Sequence, residues 1–311
     1  MKRLSGRWRR GGVSQWGLGW RRLKKNRAAI AGLIIVGVIG VMAIFDRQIA
    51  LFPPKYIPPL CMVGSSSQCP NPPFEPRAPP SFQHPFGTDF QGYDVYSQIV
   101  YGAKAAFLVG IGATAIAIAI AVLIGLVAGY FGGWIDNVLM RLTEVFLVLP
   151  FLLILIVFLR VFATKFPTGT AGLWIIIAII GIFSWSGAAR IIRGEVLHVR
   201  EYEYVAAARQ IGASGSRILF RHLFPNVLHV VIVLATLQIS GSILTEAAVS
   251  FLGFGDTNSI TWGQQLTNAS SAVKEAWWSG AFPGIFVTLL VMGFNLLGNG
   301  LRDALDPRLR E

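Results

Sequence analysis

The residues able to do chemistry are few and stand far apart in this chain of 311 residues. Glu246 lies inside an apolar stretch from Val227 to Leu252, where a carboxylate must find a partner, a cavity or a proton. A functional role and a plain interface hydrogen bond or salt bridge are equal alternatives there. Arg141 and Glu144 stand three positions apart in a second such stretch, Val138 to Phe162. On a helix they share a face and each neutralises the other, which favours a structural pair over a substrate contact. His84, His198, His222 and His229 are scattered, with no HExxH and no carboxylate cluster beside them, so no metal site is expected. Cys61 and Cys69 are the only cysteines; in an oxidising compartment they favour a disulfide over two free thiols, and no CxxC spacing suggests a metal. There is no GxxxxGK[ST] phosphate loop, and Gly110-Ile111-Gly112 lacks the third glycine of a dinucleotide fingerprint. The chain is therefore expected to bind no cofactor of its own, and any energy must come from elsewhere.

What must position these residues is a membrane domain. The chain is 54% apolar and 14% charged with a mean hydropathy of +0.59, against roughly 25% charged in a soluble domain. Uncharged runs of 18, 31, 24 and 26 residues separate Arg27 from Asp46, Lys104 from Asp136, Lys165 from Arg190 and Glu275 from Arg302. Each crosses roughly 30 Å of hydrocarbon as a helix. With Val138 to Phe162 and Val227 to Leu252 they predict an all-α integral membrane protein of six transmembrane helices. The net charge of +12 invites a nucleic-acid reading, but 10 of the 27 Lys and Arg residues precede residue 28, beside an apolar helix. That is a cytoplasmic flank meeting lipid, not a nucleic-acid surface. With the N-terminus inside, 20 of the 27 basic residues fall on inner segments, so both termini are expected in the cytoplasm.

The expected organisation is a basic cytoplasmic segment 1–27, a first span 28–45, a Pro-rich extracytoplasmic loop 46–104 of extended coil, a five-helix core 105–301, and a cytoplasmic tail 302–311. Gly125, Gly129 and Gly133 form a small-xxx-small ladder suited to close helix packing. Within the core an inner loop, 190–226, is far longer than a turn requires. It reads as two short helices, His198 to Ile211 and about Gly215 to Phe224. Gly212 is expected in the left-handed conformation that ends the first, and Ser214 is expected to cap the second. Ala206, Ala207 and Ala208 remove bulk from one side, where a partner can approach. An amphipathic hairpin resting its six arginines on anionic lipid is an equal alternative on pattern alone.

This loop, together with an ordered set of other motifs, resembles the permease subunits of binding-protein-dependent ABC importers of the dipeptide, oligopeptide and nickel family. The set comprises His84-Pro85-Phe86-Gly87-Thr88-Asp89, Tyr101-Gly102-Ala103-Lys104, GYFGGWID from Gly129 to Asp136, and ARIIRGEVL from Ala189 to Leu197. It continues with EAAVSFLGFG from Glu246 to Gly255 and LRDALDPRLR from Leu301 to Arg310. The chain departs from the family where the loop's usual glutamate is replaced by Ala206 and where Asn299 interrupts the tail's glycines; Glu203, one turn earlier, is a substitute for that glutamate.

The resemblance implies a type I ABC importer permease fold in a bacterial or archaeal plasma membrane. It implies pairing with a homologous second permease, docking of two cytoplasmic ATPases that use ATP and Mg, and delivery of peptide by an extracytoplasmic binding protein. The coupling loop would be carried by Glu203, Ala206, Ala207, Ala208, Gly212, Ala213 and Ser214. Permeases of this appearance also move nickel chelates, glutathione or sugars. The alternative of another class is a proton-coupled secondary transporter working through a group such as Glu246, which predicts inverted repeats and broken central helices.

Overall fold

Asn26 starts the first helix: its side-chain oxygen accepts from the N–H groups of Ala28 and Ala29, at 3.0 and 3.2 Å. The helix that follows, α1 (Arg27–Ile44), is apolar on every side, and a short turn, α2 (Asp46–Ile49), closes it. In this computed structural model residues 23–52, 75–165, 171–256 and 258–305 are described. Cys61 and Cys69 lie outside them.

The central helix is α3 (Val95–Phe131). It contributes to four apolar clusters, two shared with the last helix or the segment before it and two with the middle helices. It begins at Val95, inside the segment expected to be extended coil. Asp94 caps it by accepting from the Ser97 N–H at 2.8 Å, and its first turns bury Val95, Ile99 and Val100. At 37 residues it is roughly 55 Å long, well beyond the ~30 Å of a bilayer core, so its ends project.

Two expected spans are bent. α4 (Gly133–Val148) and α5 (Phe151–Lys165) meet at 84°. Pro150 has no N–H and forces Leu149 into an extended conformation, φ −64° and ψ 133°. α6 (Ala171–Phe183) and α7 (Ser186–Val199) meet at 42°. Among the described residues four helices are long and apolar enough to cross a membrane, and up to six spans result when each bent pair counts as one. The all-helical fold expected from the sequence is thus present, with two of its spans broken.

The ladder of small residues is partly corrected. A Cβ at Gly125 or Gly129 would stand 2.8 Å from Ile192 or 2.7 Å from Val196, so these two glycines let α7 approach α3 closely. Gly133 does not belong to the ladder; with Gly132 it forms the bend between α3 and α4, at φ 56° and 65°.

The inner loop also differs from expectation. α7 continues to Val199, the chain turns over residues 200–202, and a separate α8 (Glu203–Gln210) follows. The turn allows Val199 and Val205 to enter the same buried cluster. The second expected short helix is instead the start of one 37-residue helix, α9 (Gly215–Phe251). Pro225 does not end it, because residues Ile218–Leu223 adopt π-helical hydrogen bonding, with the Phe224 N–H reaching the Leu219 carbonyl. After α9 come α10 (Trp262–Ser270) and α11 (Trp278–Leu305).

Candidate coupling hairpin and its anchorage

α8 is held to the protein by one narrow stripe, Val205 and Ala208, spaced three apart. Everything else on it faces outward: Glu203 in the first turn, then Tyr204, Ala206, Ala207 and Arg209. The three alanines do not share a face, since successive residues on a helix are rotated by about 100°. Ala206 and Ala207 are exposed and Ala208 is buried. Ile211, 86% exposed, stands at the tip.

The tip has a Schellman geometry. Gly212 has φ 81°, its N–H donates to the Arg209 carbonyl at 3.0 Å, and the Ala213 N–H donates to the Ala208 carbonyl at 3.1 Å. Ala213 is half-buried against the cluster below. Ser214 occupies the N-cap position of α9 with extended backbone, but its hydroxyl makes no capping bond and instead meets the Ser216 hydroxyl at 3.4 Å.

Two arginines tie the hairpin to the end of α3. Arg200 donates to the Gly129 carbonyl at 2.8 Å and to Glu201 at 3.0 Å, and the Arg209 guanidinium lies over the Tyr130 ring, 5.5 Å from its centre. With Phe131 and Gly215 these residues line a cleft of about 430 Å³. Burial pushes the Tyr204 hydroxyl above its ordinary pKa, with Tyr202 adding to the shift. The hairpin is therefore a small exposed helix on rigid anchors, a shape suited to insertion into a groove on another protein.

The other sequence candidates lie elsewhere. Arg141 and Glu144 pair at 2.9 Å on the outward face of α4, 84% and 51% exposed, so they satisfy one another. Glu246 is 2% exposed near the end of α9, accepting from the Ser250 hydroxyl at 2.6 Å and meeting the Thr261 hydroxyl. Ser250 lies on α9 itself, one turn on, while the Thr261 hydroxyl ties α9 to the segment leading into α10. Nearby, Ser240 donates to Asn295 at 3.0 Å, joining α9 to α11.

Sequence reasoning missed three arrangements. His84 and Asp94 form a buried pair at 2.9 Å in the cap that precedes α3. In the same cap Trp278 donates its indole N–H to the Thr88 carbonyl at 3.0 Å, and burial pushes the Asp89 carboxyl up against the hydrogen bonds from Tyr93, Gln98, Gln91 and Gly92. Asp136 and Arg193 form a two-pronged pair, with Arg193 Nε 3.0 Å from Asp136 Oδ1. Trp278 and Thr88 stand 190 positions apart and Asp136 and Arg193 57 apart, so no local pattern pairs them, while His84 and Asp94 are only ten apart. Among the described residues no group of three His, Cys, Asp or Glu side chains is placed to hold a metal.

The family of binding-protein-dependent transport system inner membrane components matches residues 121–311, and the N-terminal transmembrane domain of oligopeptide transport permease C matches residues 14–67. The chain is 38% identical over 293 residues to the dipeptide transport system permease protein DppC of Bacillus subtilis (strain 168), covering 94% of this chain and 85% of that one. It is 36% identical over 299 residues to DppC of Alkalihalophilus pseudofirmus, covering 96% and 91%. It is 34% identical over 300 residues to the oligopeptide transport system permease protein OppC of Bacillus subtilis (strain 168), covering 96% and 92%.

Proposed function

The chain belongs to the family of inner membrane components of binding-protein-dependent transport systems, and from that premise we propose that it is the permease subunit of an ATP-driven importer of di- or oligopeptides. It is a multi-pass protein of the bacterial inner membrane. The observation that carries the peptide reading is its 38% identity, over 94% of its length, to a dipeptide permease.

In this reading the chain pairs with a homologous second permease, two ATPases dock on its inner face, and a binding protein delivers peptide from outside. It hydrolyses no ATP itself; the partner ATPases use ATP and Mg. Both termini and the hairpin at 190–226 face the cytoplasm. Support comes from the 3.4 Å contact of Asn26 with Asp303, which puts the start of α1 and the end of α11 on one side, and from the basic residues concentrated on that side. α8, with Glu203, Ala206 and Ala207 outward and Gly212 setting its tip, is the docking lever. ATP binding draws the partner ATPases together, α8 follows, and the bent spans are displaced toward an outward-facing cavity. Such coupling requires that the partners bind the two membrane states with different affinity.

The test is uptake of a labelled dipeptide by a strain lacking this chain. Uptake restored by the chain, and lost when the partner ATPases are inactivated, is the expected result; uptake that depends on the proton gradient alone would support a secondary transporter instead.

A further inference from the structure

We propose that Asp136 and Arg193 are a positioning pair that makes α4 move with the coupling hairpin. The inference rests on the transport reading above and adds the route by which motion reaches the bent spans.

α4 leaves α3 through two consecutive glycines in positive-φ conformations, Gly132 at 65° and Gly133 at 56°. Gly132, with ψ −159°, occupies a region open essentially to glycine alone. A Cβ at Gly133 would meet nothing within 4 Å and one at Gly132 would meet only the Arg200 guanidinium, at 3.4 Å, so no apolar packing fixes the joint. Beyond it, the only buried residues of α4 are Asp136 and Thr143, and Thr143 bonds its own helix at the Leu139 carbonyl, 2.8 Å away. Trp134, Val138, Leu142, Val145 and Val148 are exposed. In the first turn of α4 Ile135 is half-buried and Asp136 is the one buried residue, so a polar contact is the main hold on its orientation.

That contact is with α7, the helix that leads directly into α8. Asp136, its side chain 13% exposed, receives Nε and Nη2 of Arg193, so both the separation and the relative rotation of the helices are fixed. At the far end of α4, Phe146 packs on Trp185, ring centres 5.1 Å apart, at the bend between α6 and α7. α4 and α7 are therefore tied at two points, and the elbow at Leu149–Pro150 begins just after the second. A displacement of α8 carried by α7 reaches that elbow through α4, whereas the glycine joint alone would let α4 lag behind.

The experiment uses the assembled complex in nanodiscs, with its binding protein and a dipeptide. ATP hydrolysis is read with and without the loaded binding protein. Asp136→Asn and Arg193→Met are expected to leave basal hydrolysis within about twofold and to reduce stimulation by about fivefold or more, the scale of an ordinary coupling factor. Arg193→Lys, which keeps the charge but loses the fork, should fall between. The reversed pair Asp136→Arg with Arg193→Asp should recover at least about half of the stimulation. Spin labels at exposed Val138 and Ile191 should give a broader distance distribution in Asp136→Asn than in the parent complex.

Unchanged stimulation in Asp136→Asn, an unchanged distance distribution, or basal and stimulated rates falling together without recovery in the reversed pair would overturn the proposal. A parent complex with no stimulation at all would refute the transport reading instead, so the two failures are distinguishable.

Discussion

The backbone N–H of Ala213 donates to the carbonyl of Ala208, 3.1 Å away, because Gly212 just before it turns the chain at φ 81°. A side chain at that φ costs roughly 1 kcal/mol, and more if β-branched. Gly212→Val should misdirect the hairpin while the packed helices remain intact. The expected outcome is an assembled complex with reduced uptake and no response of ATP hydrolysis to the loaded binding protein. Wild-type values for both would leave α8 without its lever role.

Ser216, exposed at the start of α9, reports which side of the membrane the hairpin occupies. With Cys61 and Cys69 replaced by serine, Ser216→Cys should resist a membrane-impermeant maleimide in intact cells and react once the cells are permeabilised. Labelling in intact cells would reverse the proposed orientation.

Glu246 has hydroxyl partners in Ser250 and Thr261, and a glutamine keeps one accepting oxygen while its N–H groups can donate to a hydroxyl oxygen. Glu246→Gln should therefore keep uptake within about twofold of wild type, while Glu246→Leu leaves two buried hydroxyls short of an acceptor at about 1–3 kcal/mol. Loss of uptake in Glu246→Gln, with the protein folded, would make this carboxyl a proton carrier and favour the secondary-transporter mechanism.

Trp262, 2% exposed, donates to the Ile99 carbonyl at 3.0 Å, and a Cβ on Gly102 would stand 2.5 Å from its ring. Trp262→Phe should lower the thermal midpoint in detergent by an amount corresponding to roughly 1 kcal/mol, and Gly102→Val should lower it further because the buried Trp262 ring must move. Midpoints equal to wild type for both would mean that this contact does not hold α3 to α10.

Much of this architecture is legible in the sequence, for stated physical reasons. Gaps between charged residues mark apolar helices because hydrocarbon excludes charge, and the paired start of α1 and end of α11 agrees with the even number of spans so counted. Gly212 was legible because a short polar helix needs a left-handed exit. The bend at Leu149–Pro150 was present in the proline, but an unbroken apolar run masked it. Pro225 misled in the opposite sense, since the π-turn before it absorbs the missing N–H. The Asp136–Arg193 pair spans 57 residues and obeys no local periodicity, so nothing short of the packed helices brings it together.

In the proposed function this chain forms a peptide path driven by a separate ATPase. The most direct measurement is accumulation of a labelled dipeptide in proteoliposomes holding this chain, its partner permease and the ATPases, with ATP on the ATPase side and binding protein on the other. Accumulation should require both ATP and the binding protein, survive collapse of the proton gradient, and disappear with an inactive ATPase. Accumulation by this chain alone, driven by a proton gradient without ATP, would contradict it.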